Sequence, residues 1–83
     1  MKYFVYILYS ENHDTYYKGQ TSDLTKRLER HNSGSEKSTS KYRPWKLVWK
    51  TEKPNRSQAL ILERKLKNLS KERTKAFIEK YQE

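Results

Sequence analysis

The chain predicts an α+β fold: a three-stranded antiparallel sheet flanked by helices, in the order β-β-α-β-α-α. Three observations lead there. Short alternating runs near residues 3–9, 15–21 and 45–51 read as strands. A polar segment of turn length, with no room for a helix, joins the first two. Amphipathic stretches with polar caps fill the last third. Length bounds the rest, because 83 residues make one domain, spanning 1–83. A chain this small buries only about 60–65% of the surface it exposes when unfolded.

Each element has a local reason. In Tyr3–Tyr9 the odd positions Tyr3, Val5, Ile7 and Tyr9 share one face, while Phe4, Tyr6 and Leu8 share the other. Apolar groups on both faces predict a central strand covered on two sides. Ser10 to Asp14 supplies a turn into a second strand, Thr15–Thr21, so a hairpin is expected. Ser22 is a fair N-cap and Asp23 suits the first turn of a helix running to about Asn32, with Asn32-Ser33-Gly34 ending it. Leu24 and Leu28 form its apolar stripe, and Arg27 and His31 lie one turn apart at the stripe's edge. The Ser-rich run from Asn32 to Ser40 reads as loop. Trp45–Thr51 reads as the third strand, with Trp45, Leu47 and Trp49 in phase. Lys53-Pro54-Asn55 is a short connection, and Asn55 to Gln58 has capping-box spacing. Ala59, Leu62, Leu66 and Leu69 then mark one face of a helix, with Glu63 on its margin. Ser70 caps a last helix to about Gln82, whose Thr74, Phe77, Ile78 and Tyr81 are expected to face inward.

Composition narrows the function. Nineteen Lys and Arg against ten Asp and Glu give a formal charge of +9, which predicts attraction to polyanions. Apolar residues are 33% and charged residues 35%, a balance that alone suggests disorder; aromatics at 13% argue for a folded core. With no cysteine there is no disulfide, thiolate nucleophile or Cys-ligated metal. No apolar run reaches membrane-span length, and the N-terminus has no signal-peptide core, so a cytoplasmic protein is expected. Basic residues cluster at Lys26, Arg27 and Arg30, at Lys41 and Arg43, and at Arg64, Lys65 and Lys67, with Lys18 on the second strand. Aromatics lie between them, the makeup of a groove that tracks phosphates and stacks bases. The partner this predicts is a nucleic acid, DNA or RNA; a small basic RNA-associated protein would also account for charge and rings.

Taken singly, the other polar candidates have ordinary roles. Tyr6, Tyr16 and Tyr17 suit strand packing, His31 suits a helix C-terminus, and Glu63 can pair with Lys67 four residues on. Jointly they form a pattern. Phe4-Val5-Tyr6, followed after ten residues by Tyr17-Lys18-Gly19, resembles the two half-motifs that name the GIY-YIG nuclease superfamily. Downstream, Asp23 to Asn32 is similar to its arginine-bearing helix and Ala59 to Glu63 to its glutamate-bearing helix. The resemblance covers nearly the whole chain. It is nearest to the small single-domain branch, and extends to UvrC-type excision proteins and to structure-specific nucleases that work with a scaffold partner.

The resemblance implies a metal-dependent endonuclease that hydrolyses DNA phosphodiester bonds, structure-specific cleavage and a protein scaffold partner included. Tyr6 and Tyr17 match the family's two tyrosines, Arg27 its catalytic arginine, and Glu63 its metal-binding glutamate. His31 stands where the family uses His or Tyr. Glu63 would hold a single Mg²⁺ or Mn²⁺ that keeps most of its waters. A tyrosine needs nearby cations to become a base at neutral pH. Tyr6 and Tyr17 are equal candidates, with His31 as the other proton relay. Phe4 replaces the first glycine and Lys18 the apolar centre of the second half-motif. Gln20 stands where excision-type members carry lysine, so any help from a lysine in lowering a tyrosine pKa is absent or must come from Lys18. Asn68 is an out-of-register counterpart of an asparagine that some members carry. The contrasting expectation is a non-catalytic nucleic-acid-binding module of the same fold.

Overall fold

The computed structural model describes residues 2–82. Its order is β1 (Tyr3–Ser10), β2 (Thr15–Thr21), α1 (Leu24–Ser33), α2 (Lys37–Ser40), β3 (Lys46–Lys53), α3 (Arg56–Lys67) and α4 (Lys71–Lys80). The strands form one antiparallel sheet in the order β2-β1-β3. This is the predicted architecture with one small helix added. No helix among the described residues is long and apolar enough to cross a membrane.

β1 occupies the centre because both its faces can be buried. Val5 and Ile7 pack with Ala59, Leu66 and Ile78 under α3 and α4. Tyr6 and Leu8 pack with Trp45, Leu24 and Leu28 under α1. Val5, Tyr6, Ile7 and Leu8 are each at most 1% exposed, so the run reads as buried on both sides for a physical reason. The β1–β2 hairpin closes with Asp14 in the left-handed region at φ 47°. Its carboxylate accepts from the Tyr9 hydroxyl at 2.7 Å and pairs with Lys71 at 2.7 Å, which ties the turn to the start of α4.

The caps at Asn55 and Ser70 fall where expected, accepting from the N–H of Gln58 and of Arg73. The cap of α1 is corrected by one residue. Asp23, not Ser22, accepts from Lys26 N–H at 3.1 Å, and the Thr21 hydroxyl accepts from Asp23 N–H at 3.1 Å. A carboxylate is the better partner for a helix N-terminus. Gly34 ends the helix at φ 86°, the conformation that favours glycine.

Three further expectations change. The run read as loop contains α2, a four-residue turn of helix; its Ser-rich sequence has no periodicity, and tertiary contacts of Thr39 hold it. Trp45, Leu47 and Trp49 do not share a face. The register passes from Ile7 opposite Trp49 to Leu8 opposite Leu47, so Val48 is an extra residue in β3, a β-bulge. Trp45 and Leu47 therefore join the α1 layer, whereas Val48 and Trp49 join the α3–α4 layer. Tyr81 is 50% exposed because α4 ends at Lys80; its carbonyl accepts from Trp49 Nε1 at 3.2 Å while its ring leans on Phe77 from outside.

One clasp fixes α1 against the sheet. The Asn32 amide donates to Trp45 C=O at 3.0 Å and accepts from Trp45 N–H at 2.6 Å, mimicking a strand partner where β3 begins. Replacing Asn32 with Ala leaves both backbone groups without these bonds. The expected loss is about 1–3 kcal/mol, measured by urea unfolding.

Candidate nuclease site

Four side chains from three elements meet on the α1 side of the sheet. Tyr6 and Tyr17 project from β1 and β2 with ring centroids 6.2 Å apart. Tyr6 lies opposite Gly19 and Tyr17 opposite Leu8, so both phenols belong to one face by strand alternation. Gly19 gives Tyr6 its path: a Cβ there would lie 2.6 Å from the Tyr6 hydroxyl and 2.8 Å from Cζ. The tyrosyl ring thus lies directly over the glycine backbone. The glycine is needed for close approach, not for an unusual backbone angle.

His31 is far more buried than a helix-end cation would be, at 1% exposed. Its Nε2 lies 3.1 Å from the Tyr6 hydroxyl and its Nδ1 3.0 Å from the Thr39 hydroxyl. The Tyr17 ring is tilted against it at 4.7 Å between centroids. Burial lowers the His31 pKa from its usual 6.5; Arg27 and Arg30 lower it further and Glu36 opposes them. The imidazole is therefore neutral at pH 7. Its folded pKa lies below the unfolded value, so in acid the unfolded chain binds a proton that the folded chain refuses. Stability should fall as pH drops below about 6.5 and level off once the folded imidazole also protonates. Thermal unfolding between about pH 7.5 and 5.5 should show a steeper loss for the wild type than for His31→Gln.

Arg27 lies half-buried beside the hydroxyls of Tyr6 and Tyr17. Glu36 faces it at 3.7 Å and Arg30 at 3.1 Å. The Arg27 Nε is buried without a hydrogen-bond partner. Burial raises the Tyr6 pKa, as does the neighbouring Tyr17; Arg27 acts the other way without prevailing, and the hydroxyl ends at about 12. Arg27 alone therefore does not turn Tyr6 into a base: in the metal-free protein burial outweighs it and the phenol keeps its proton.

Glu63 belongs to α3, on the opposite layer, yet its charge is among those that raise the Tyr6 pKa. Its side chain is 14% exposed and pairs with Lys67 at 3.3 Å. No hydrogen bond joins it to Tyr6 among the described residues. Among the described residues no group of three or more His, Asp or Glu could form a metal cage. One shielded carboxylate suits a hard ion that retains water, as Mg²⁺ and Mn²⁺ do, and is a poor match to zinc. The Lys67 pair, worth a few tenths of a kcal/mol at i,i+4, is a small obstacle to such an ion.

The basic candidates divide. Lys26 and Arg30 are exposed along α1. Lys41 lies over the Tyr42 ring at 5.0 Å, and Arg43 donates from Nε to Ser40 C=O at 2.7 Å. Arg64 and Lys67 are exposed on α3. Lys18 is placed elsewhere: it lies opposite Ile7 and donates to Leu69 C=O at 3.4 Å, on the helix layer behind the phenols. Burial lowers its pKa, but it cannot supply the charge beside Tyr17 that the sequence suggested. Gln20 shares that hidden face, opposite Val5, with its Oε1 buried and unpartnered.

Sequence reasoning missed Thr39 and Glu36. Thr39 is one hydroxyl in a Ser-rich run and carries no signal. Glu36 is the only acid between Glu29 and Glu52, so it was open to reading as a counterion. A groove of about 580 Å³ runs along Leu47 to Lys50 and Gln82, away from these groups. Within the phenol–guanidinium cluster Tyr6 and His31 are buried, whereas Tyr17 and Arg27 are partly exposed.

On one side of the β2-β1-β3 sheet, two phenols from the strands thus meet an imidazole and a guanidinium from α1. The chain belongs to the GIY-YIG family: the family model of the GIY-YIG catalytic domain matches residues 2–80. That makes it a member of a nuclease family, one whose enzymes generally use divalent metal ions. It is similar to the solution NMR structure of the UPF0213 protein BH0048 from Bacillus halodurans, at 29% identity, covering 98% of this chain and 86% of that one, with a TM-score of 0.63. No curated protein matches it.

Proposed function

We propose that this chain is a metal-dependent endonuclease that hydrolyses DNA phosphodiester bonds, with branched and flapped duplexes as its substrates. One observation carries the reading: Tyr6, Tyr17, Arg27 and His31 meet from three elements, and Tyr6 also feels the charge of Glu63 from a fourth.

Each residue then has a task. Arg27 offers planar, permanently charged donors to phosphate oxygens as negative charge builds on them. Its loose pair with Glu36 and its unpartnered Nε leave it short of acceptors until an anion arrives. Tyr6, locked as a phenol, positions rather than titrates. Tyr17 is less buried and is the tyrosine that meets the attacking water. His31, neutral and enclosed, orients Tyr6. Glu63 would hold Mg²⁺ or Mn²⁺, which supplies Lewis-acid charge for the phosphate and the leaving oxygen. Lys26, Arg30, Lys41 and Arg43 contribute phosphate contacts whose strength falls with salt.

The test is a cleavage screen of nicked, flapped and branched DNA, with single-stranded RNA alongside, in Mg²⁺, in Mn²⁺ and in chelator. Metal-dependent cutting of DNA supports the reading. Tight, salt-sensitive binding with no cutting under any condition would replace it with the binding module.

A further inference from the structure

Thr39 is a buried polar side chain, bonded to the cluster, that no motif predicts. It is 2% exposed and held on all sides. Its hydroxyl lies 3.0 Å from His31 Nδ1 and 3.4 Å from Glu36 C=O, while its own carbonyl accepts from Trp45 Nε1 at 2.9 Å. A carbonyl can only accept, so a Thr39 hydroxyl turned toward Glu36 C=O has a lone pair, not a proton, for the imidazole. The second argument comes from the far side of the ring. Arg27 only donates, and it lies beside the Tyr6 hydroxyl, so the Tyr6 proton is repelled toward His31 Nε2. Both ends of the imidazole require the same arrangement.

We propose that Thr39 is a positioning residue: by accepting from Nδ1–H it holds His31 in the tautomer whose Nε2 is bare, so that Tyr6 donates inward. The Tyr6 oxygen then presents its lone pairs to Arg27 and to the open face where substrate would lie. In the opposite tautomer His31 would donate to Tyr6, and the phenolic proton would point at a guanidinium. The other charged groups facing the ring are Arg27 and Arg30 on its own helix and Glu36 from the α2 segment. None of them contacts Nδ1, which leaves Thr39 as the group that sets the tautomer. The consequence for cleavage rests on the nuclease reading; the tautomer belongs to the free protein.

Long-range ¹H–¹⁵N correlation of the His31 ring at neutral pH tests this without substrate. Wild type and Thr39→Ser should show a protonated Nδ1 and a bare Nε2. Thr39→Val, which keeps the shape and removes the acceptor, should move population to the Nε2–H form. It should also slow cleavage about tenfold at unchanged DNA affinity, and Thr39→Ser should restore the rate. An Nε2–H wild type, or a Thr39→Val protein that keeps the wild-type tautomer, overturns the proposal. Failure to cleave any substrate would remove the nuclease reading while the nitrogen shifts still decide the role of Thr39. If Thr39→Val does not fold, the wild-type spectrum alone retains the power to refute.

Discussion

Arg27→Ala and Glu63→Gln are each expected to lower single-turnover cleavage by about 10²–10⁴-fold, with thermal unfolding little changed. The two lose different things. Arg27 is the guanidinium beside both phenols, so its loss removes charge from the phosphate itself. Its partner Glu36 is not stranded, because Arg30 already holds that carboxylate at 3.1 Å. Arg27→Lys should recover only part of the rate, since an ammonium is a point charge without the planar fork. Glu63→Gln keeps volume and a carbonyl oxygen near Lys67 but loses the negative charge a hard cation needs. Raising the metal concentration should partly rescue Glu63→Gln and leave Arg27→Ala unaffected. Equal rates for wild type and both variants would exclude this surface as the place of cleavage.

The second large effect is expected at Gly19. Gly19→Ala places a methyl group 2.6 Å from the Tyr6 hydroxyl oxygen and 3.0 Å from a Tyr17 ring carbon. Tyr6 cannot step aside, because it is enclosed by Tyr17 and His31 and only 1% exposed. The overpacking should cost about 1–3 kcal/mol of stability and break the bond to His31. Displacing the phenol should slow cleavage by about 10–100-fold, since small misplacements of catalytic groups are expensive. Urea unfolding measures the first effect and cleavage kinetics the second. A Gly19→Ala protein with wild-type rate would show that the position of Tyr6 does not matter to the reaction.

The sheet was legible because its signals are local. Val5 to Leu8 is apolar on both faces, and only a central strand can bury both. Asn55 and Ser70 announce their helices through cap chemistry that needs nothing from elsewhere in the chain. The cluster was legible through residue types at family-like spacings, and Tyr6, Tyr17, Arg27 and His31 do converge. What escaped depends on contacts between distant segments. The bulge at Val48 is visible only once β3 is paired with β1. The side of the sheet taken by Lys18 follows from its register opposite Ile7, which no spacing in the sequence states. The raised pKa of Tyr6 reflects enclosure by Tyr17 and the surrounding chain, and from composition the nearby arginine suggested the opposite sign. Thr39 matters through one hydroxyl delivered by a turn of helix that is too short to announce itself.

The extra residue in β3 has a practical consequence. By sending Trp45 and Trp49 to opposite layers, it gives the molecule two indole fluorophores with separate fields of view. Trp45, 6.2 Å from the Tyr17 ring and 6.0 Å from that of Tyr42, watches the face that carries the phenols, whereas Trp49, 5.0 Å from Phe77, watches the seating of the C-terminal helix. A Trp49→Phe chain therefore carries a single built-in emission reporter of ligand arrival, and needs no attached dye.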